Sequence, residues 1–264
     1  MRLLNQKNVK MAKPKVAGQF ERWVNVGVVV LVLMASAMAM SPSIADPDLW
    51  GHVQYGVDVL EMGEISETTS YSFTAEGYRW INHENLSEII MAVTVEHFGT
   101  TGLLLGKFLL SLLVIGLLVW CNLRQGVSLA ATGLMAMLVA WNLGYHWSFR
   151  PQLSSFVWFT MLVVLLQFSF TGWRDRWHVK LLGGLFSRSD SPSDIKHTWF
   201  NARLLWLAPI ILVFWTNSHG GYVAGVCVFI AYLGCRALEA VVSKGKQSKG
   251  LVLRLGLMLS LIHI

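Results

Sequence analysis

The feature that most limits what this chain can fold into is its run of long apolar blocks. They cover Val24–Ile44, Gly102–Trp120, Val127–Gly144, Leu153–Phe170, Trp199–Trp215 and Tyr222–Leu238, and a seventh opens at Leu251. About 20 apolar residues cross the hydrocarbon core of a bilayer as a helix, and the shorter blocks reach that length by borrowing flanking residues. Inside a bilayer only helices and closed barrels satisfy every backbone polar group. The expectation is an all-α polytopic integral membrane protein with about six complete transmembrane helices and a partial seventh. With 54% hydrophobic and 14% charged residues, the composition departs from that of soluble domains. Trp23, Trp120, Trp173, Trp199 and Trp215 stand near block ends, where interfacial anchors belong.

The first block is too long for the apolar core of a secretory signal, which is about 7–15 residues. Ala35-Ser-Ala37 and Ala39 make only a weak cleavage pattern, so Val24–Ile44 reads as an uncleaved span. Residues 1–23 form a basic tail, and residues 24–264 form the transmembrane domain. The excess of +6 charges is spent on short turns and the tail, which argues for topology and against nucleic acid. With the N-terminus in the cytoplasm, only Arg79, Lys107 and Arg150 of the Lys and Arg residues fall on or near the outer face. This bias predicts a multi-pass protein of the plasma membrane. Cys121, Cys227 and Cys235 form no CxxC pair, so neither a disulfide nor a structural zinc is expected. The inner loop 171–198 reads as a solvated basic turn; its Gly183-Gly184 lacks the Lys-Ser/Thr of a phosphate cradle. The last block is 14 residues old at Ile264, as in a C-terminally truncated chain or one with an artefactual end.

Between the first two blocks lies an outer segment, residues 45–101, that holds ten of the fifteen acidic residues. It opens with Asp46-Pro-Asp48-Leu-Trp50-Gly-His52. Asp46 reads as a helix N-cap, Pro47 as the first helical residue and Asp48 as the second. At 100° per residue, Asp48, His52 and Tyr55 share one face, with Trp50, Val53, Val57 and Leu60 roughly opposite. Gly63 ends this helix. A hairpin or tight loop is expected around Ala75-Glu-Gly77. Asn82 then caps a second amphipathic helix, Glu84 to Phe98, stopped by Gly99. Its stripe of Leu86, Ile89, Ile90, Val93 and Phe98 suits the membrane interface.

Two other segments face the same side. One is Tyr145-His146-Trp-Ser-Phe-Arg150-Pro-Gln152, and the other is Thr216-Asn217-Ser-His219-Gly-Gly-Tyr222. Acids in one segment and His and Arg in two others suit a site that removes a proton and stabilises a departing phosphate. Each piece also has a purely structural explanation. Asp46 is explained as a cap, Asp48 by the helix dipole, Arg150 by lipid phosphate and Asn217–Gly221 by a tight turn. A divalent metal could sit on Asp48 and His52 at i, i+4, with His146 or His219 as a third ligand. No HExxH or close His/Cys cluster supports it, so no metal ligand is assigned.

The ordered set Asp46-Pro-Asp48-Leu-Trp50-Gly-His52, Tyr71-Ser-Phe-Thr-Ala, Trp80-Ile-Asn-His83-Glu84, Arg150-Pro-Gln152 and Asn217-Ser-His219-Gly-Gly resembles bacterial multispanning glycosyltransferases of the GT-C type. The resemblance covers residues 24 to about 238. It implies a polyprenyl-phosphate sugar donor, an acceptor of the cell envelope and an essential acid in the first outer loop. On that basis Asp48 is the expected general base, with Asp46 as helper. Arg150, His146 and His219 would bind the donor phosphate. His52, Tyr55, Trp50, Trp80, His83, Glu84 and Asn217 would contact substrate. No cofactor is required. The alternatives are a transporter or envelope-assembly subunit, and an intramembrane metallohydrolase.

Overall fold

A computed structural model describes residues 18–42, 46–170, 203–244 and 249–260. Most of the basic tail, the inner loop 171–198, the start of the block at Trp199 and the final four residues lie outside them. The described residues are helical, with no strand; a single antiparallel bridge joins Thr68 to Arg79. The helices are α1 (Gln19–Ala39), α2 (Leu49–Met62), α3 (Asn85–Arg124), α4 (Leu129–Gly144), α5 (Gln152–Ser169), α6 (Ala208–Thr216), α7 (Tyr222–Lys244) and α8 (Lys249–Ser260). A 3-10 turn, Arg203–Leu207, leads into α6.

Four of these helices are long and apolar enough to cross a bilayer: α1, α3, α5 and α7 within Tyr222–Val241. Helix α4 has 16 residues and spans about 24 Å, less than the hydrocarbon core of about 30 Å. The 3-10 turn and α6 together are no longer. Six spans and a partial seventh are thus more than the lengths of the described helices establish.

The second outer helix and the second block are one element. Helix α3 runs 40 residues through a kink at Gly99, whose φ of 62° and ψ of −163° only glycine adopts readily. Gly99 therefore bends the chain where it was expected to stop it. The expected stripe lies away from the packed side of the helix. Ile90 and Phe98 are exposed and Leu86, Ile89 and Val93 only half-buried, whereas Asn85, Ser87, Glu88, Met91 and Ala92 are buried. Helix α2 covers that polar side. At Gly56 the two helices nearly touch: a Cβ there would fall 2.2 Å from the Glu88 carbonyl oxygen.

Three apolar clusters hold the bundle. Leu162, Leu166, Leu212, Trp215, Phe229 and Leu233 join α5, α6 and α7. Met40, Val114, Ile115, Ala140 and Trp147 join α1, α3, α4 and the segment after α4. A smaller cluster of Leu49, Val53, Met91, Leu103 and Phe149 seats α2 on α3. Between spans the surrounding lipid is as apolar as these side chains, so close packing rather than release from water holds the clusters. On α2, Leu49, Val53 and Gly56 meet α3, while Trp50 and Leu60 of its apolar face are exposed.

Candidate functional site

Helix α2 starts at Leu49, later than the Asp-Pro-Asp signal suggested. The residue before its first turn is Asp48, not Asp46, and Asp46 instead closes a turn ahead of the helix by accepting the backbone N–H of Asp48 at 3.0 Å. Both acids are then met by one cation from before α5. Arg150 Nε lies 2.7 Å from Asp46 Oδ1, and Arg150 NH2 donates to Asp48 Oδ2 at 2.6 Å. Asp46 is nearly covered, at 12% side-chain exposure, and Asp48 is open, at 63%. Burial pulls the Asp46 carboxyl upward, but the Asp48 N–H and the guanidinium outweigh it and hold it below the usual range. The Asp46 carboxylate beside it in turn raises Arg150. The expected base and the expected phosphate ligand are thus partners of each other.

One turn into α2, His52 Nδ1 lies 3.0 Å from Glu88 Oε1 and 3.9 Å from Glu84 Oε2. Glu88 is 1% exposed, and its other oxygen accepts from Asn82 Nδ2. The bond to Glu88, reinforced by the charges of Glu88, Glu84 and Asp48, raises His52 against the downward pull of burial. Glu84 is the hub of three imidazoles: besides His52, His219 Nε2 lies at 3.6 Å and His83 Nε2 at 4.0 Å. Burial raises its carboxyl more than His52 and His83 lower it. His52, Glu84 and Glu88 each offer an atom within 4.8 Å of the others and could hold a metal ion. These three differ from the Asp48–His52 pair that helical spacing suggested.

His219 is placed from behind. Gly221 N–H donates to its Nδ1 at 3.0 Å, so Nδ1 carries no proton. The Ser155 hydroxyl, 2.7 Å away, must therefore donate to Nδ1 as well, while it accepts from Trp215 Nε1 at 2.7 Å. Nε2 then bears the hydrogen and faces Glu84. Burial lowers this imidazole, aided by His83 and His52. The loop itself is tied to α3: Leu86 N–H donates to the Asn217 carbonyl and Ser87 Oγ to the Ser218 carbonyl, both at 2.8 Å.

The remaining expected residues divide. Tyr55 packs on Trp80 and Tyr71, with ring centroids 4.9 and 5.2 Å apart, and so seats the tight loop. That loop closes around Gly77, at φ 78°, with Thr69 N–H donating to the Tyr78 carbonyl. Trp50 is exposed on the outside of α2. Asn217 spends its side-chain amide on the Val213 carbonyl. His146 is exposed beyond α4, its ring against Tyr145, and makes none of the cluster's contacts among the described residues. Sequence reasoning did not single out Glu88 or Ser155, and it placed Trp215 as an interfacial anchor, whereas the ring is buried and its Nε1 is held by Ser155. The i, i+4 spacing of Glu84 and Glu88 was a usable signal for the first.

Two apolar clefts reach this cluster. One, of about 740 Å³, is lined by Val114, Leu138, Phe156, Phe159 and Val163 and ends at Ser155 and His219. The other, of about 240 Å³, runs between α3 and α5 and ends at Arg150 and Ser218. Helical spacing puts residues 152, 155, 156, 159 and 163 on one face of α5 and residues 153, 154, 157 and 158 on the other, so the clefts flank that helix. Comparison with known proteins found no family model, no curated protein and no solved structure that matches the chain.

Proposed function

We propose that the protein transfers a glycosyl group from a polyprenyl-phosphate-linked sugar to an envelope acceptor at the outer face of the plasma membrane. In this reading the N-terminus is cytoplasmic, and α2 with the first half of α3 stands outside. The carrying observation is the pair of apolar clefts that flank α5 and meet a cluster of carboxylates, imidazoles and a guanidinium. A substrate with an apolar tail and a polar reacting head needs that combination.

Asp48 is the base of this scheme. It is open, and Arg150 holds it through Oδ2. It takes the proton of the acceptor hydroxyl as that oxygen attacks the anomeric carbon. The bond from that carbon to the phosphate oxygen breaks, and its electron pair leaves on the phosphate. A positioned base contributes about 10²–10⁴-fold. Arg150 aligns the base and meets the developing phosphate charge.

The test is release of polyprenyl phosphate by the full-length protein in nanodiscs, against a panel of polyprenyl-phosphate sugars. Turnover lost in folded Asp48→Asn supports the reading. No turnover with any donor, from monodisperse protein, sinks it in favour of transport or envelope assembly. A second reading, metal-assisted hydrolysis, draws on the convergence of His52, Glu84 and Glu88. Bound divalent metal that disappears with His52→Ala would favour it.

A further inference from the structure

Lys107 is a charged residue near the outer end of the apolar block Gly102–Trp120, and it is 3% exposed. Its Nζ donates to the Pro42 carbonyl at 2.7 Å and lies 5.0 Å from the centre of the Phe149 ring. Among the described residues no carboxylate stands within ion-pair distance of it. An ammonium carries three donors, and here one is used on a neutral carbonyl. A buried charge without a counter-ion is costly, and a glutamine would have capped the carbonyl without that cost. Lys107 lines the smaller cleft, together with Arg150 at its polar end and with Ile90, Leu103, Leu110 and Val157 along its wall. The larger cleft has no Lys or Arg in its lining.

We infer that the cleft between α3 and α5 binds an anionic phosphate head group carried on an apolar chain, with Lys107 as the buried cation that receives it. A phosphate oxygen supplies the acceptors that the ammonium lacks, and the chain lies along the wall toward Leu110. The occupant is the polyprenyl phosphate of the donor, an assignment that rests on the proposed function. It moves the phosphate from the His146 and His219 positions that the sequence suggested to the other side of α5. Arg150, already shared by Asp46 and Asp48, borders this subsite and links it to the proposed base.

Two substitutions separate binding from folding. Lys107→Gln keeps a donor for the Pro42 carbonyl and removes the charge. Gly106→Leu keeps Lys107 and fills the cleft, because nothing lies within 4 Å of a Cβ at Gly106. The experiment measures binding of polyprenyl phosphate with a photoreactive group near the phosphate. It uses the full-length protein in phosphatidylcholine nanodiscs and maps the cross-links by peptide mass spectrometry.

Cross-links to residues 90–110 and 153–158 are expected. Affinity should fall about tenfold or more in Lys107→Gln, the scale of a charge-assisted bond to phosphate. It should be lost in Gly106→Leu, with melting temperatures near that of the wild type. Polyprenol without phosphate should bind weakly, and millimolar inorganic phosphate should not displace the probe.

Wild-type affinity in both variants, equal binding of polyprenol, or cross-links at Phe159 and Val163 would overturn the assignment. Equal competition by phosphatidylglycerol would overturn the donor as occupant and leave a general anionic-lipid site. Because the readout is binding, a protein that passes it and transfers no sugar loses the proposed reaction and keeps the subsite.

Discussion

His52 Nδ1 lies 3.0 Å from Glu88 Oε1, and this contact joins the outer helix α2 to the start of α3. Its bond to Glu88 raises the imidazole above its ordinary value of 6.5. A raised folded-state value contributes stability that is fully present below 6.5 and is lost as pH rises through the folded value. Docking of α2 should therefore weaken from pH 6.5 upward. Thermal unfolding in nanodiscs from pH 5.5 to 9 checks this, and His52→Gln should flatten the upper part of the profile. Removing the imidazole with His52→Ala leaves Glu88 buried beside Asn82 alone, a loss of about 3–5 kcal/mol for a broken buried pair. A melting temperature that rises between pH 6.5 and 8 in the wild type would refute the sign.

Arg150 holds two acids that are 2 residues apart in sequence and 102 or more from itself. At 39% side-chain exposure the guanidinium is screened, so the contact with Asp48 is a surface pair of about 0–1 kcal/mol. Asp48→Asn should cost little stability, and its effect should shrink further in high salt. Asp46→Asn should show more: the carboxyl is held low, so its contribution is present above 3.8 and fades as pH falls through its folded value. Comparing the acid melting profiles of the two variants tests this. Equal profiles would mean that Arg150 does not distinguish the two carboxylates.

Helix content was legible because apolar blocks of membrane length have few other structures open to them. The tight loop at Ala75–Gly77 was legible from its turn residues. The number of spans was not, because α4 and α6 are apolar without being long. The packed side of residues 84–98 was not legible. The periodic apolar stripe marks a face for the membrane interface, and the opposite side buries polar groups because α2 supplies a partner for Glu88. Residues expected to share a site, Asp48 and Arg150, do meet, yet as an ion pair. Which side chains meet across 36 residues, as His52 and Glu88 do, depends on how α2 sits on α3, and no local pattern carries that register.

Gly56 sets that register. A side chain there would run into the Glu88 backbone at 2.2–2.5 Å and the Ala92 Cβ at 2.9 Å. Neither neighbour is the free end of a flexible chain, so the helices must part. Gly56→Val should cost about 1–3 kcal/mol, the range for overpacking, and should also abolish the pH dependence assigned to His52. Gly51→Ala, on the same helix with nothing within 4 Å, is the control and should be neutral or slightly stabilising. Unfolding of both variants at pH 6 and pH 8.5 reads the stability and the coupling together. A Gly56→Val protein that keeps the wild-type pH profile would show that α2 reaches α3 without that close approach.

Ser155 decides the state of His219. Its hydroxyl accepts from Trp215, which is 1% exposed, and donates to Nδ1, which also receives the Gly221 N–H. A proton on Nδ1 would face that N–H donor to donor, so the cation is disfavoured by geometry as well as by burial. At pH 7 His219 should be neutral with its hydrogen on Nε2, directed at Glu84, and should titrate below 6.5. Nitrogen-15 spectra of histidine-labelled protein, with the signal assigned by His219→Gln, read this directly. Ser155→Ala should leave the Trp215 indole without an acceptor, at a cost of about 1–3 kcal/mol, and weaken the preference between the two neutral forms of the ring. A His219 that is cationic at pH 7, or a ring state that ignores Ser155→Ala, would break the link from Trp215 through Ser155 to Glu84. It would return His219 to the role of a charged phosphate ligand.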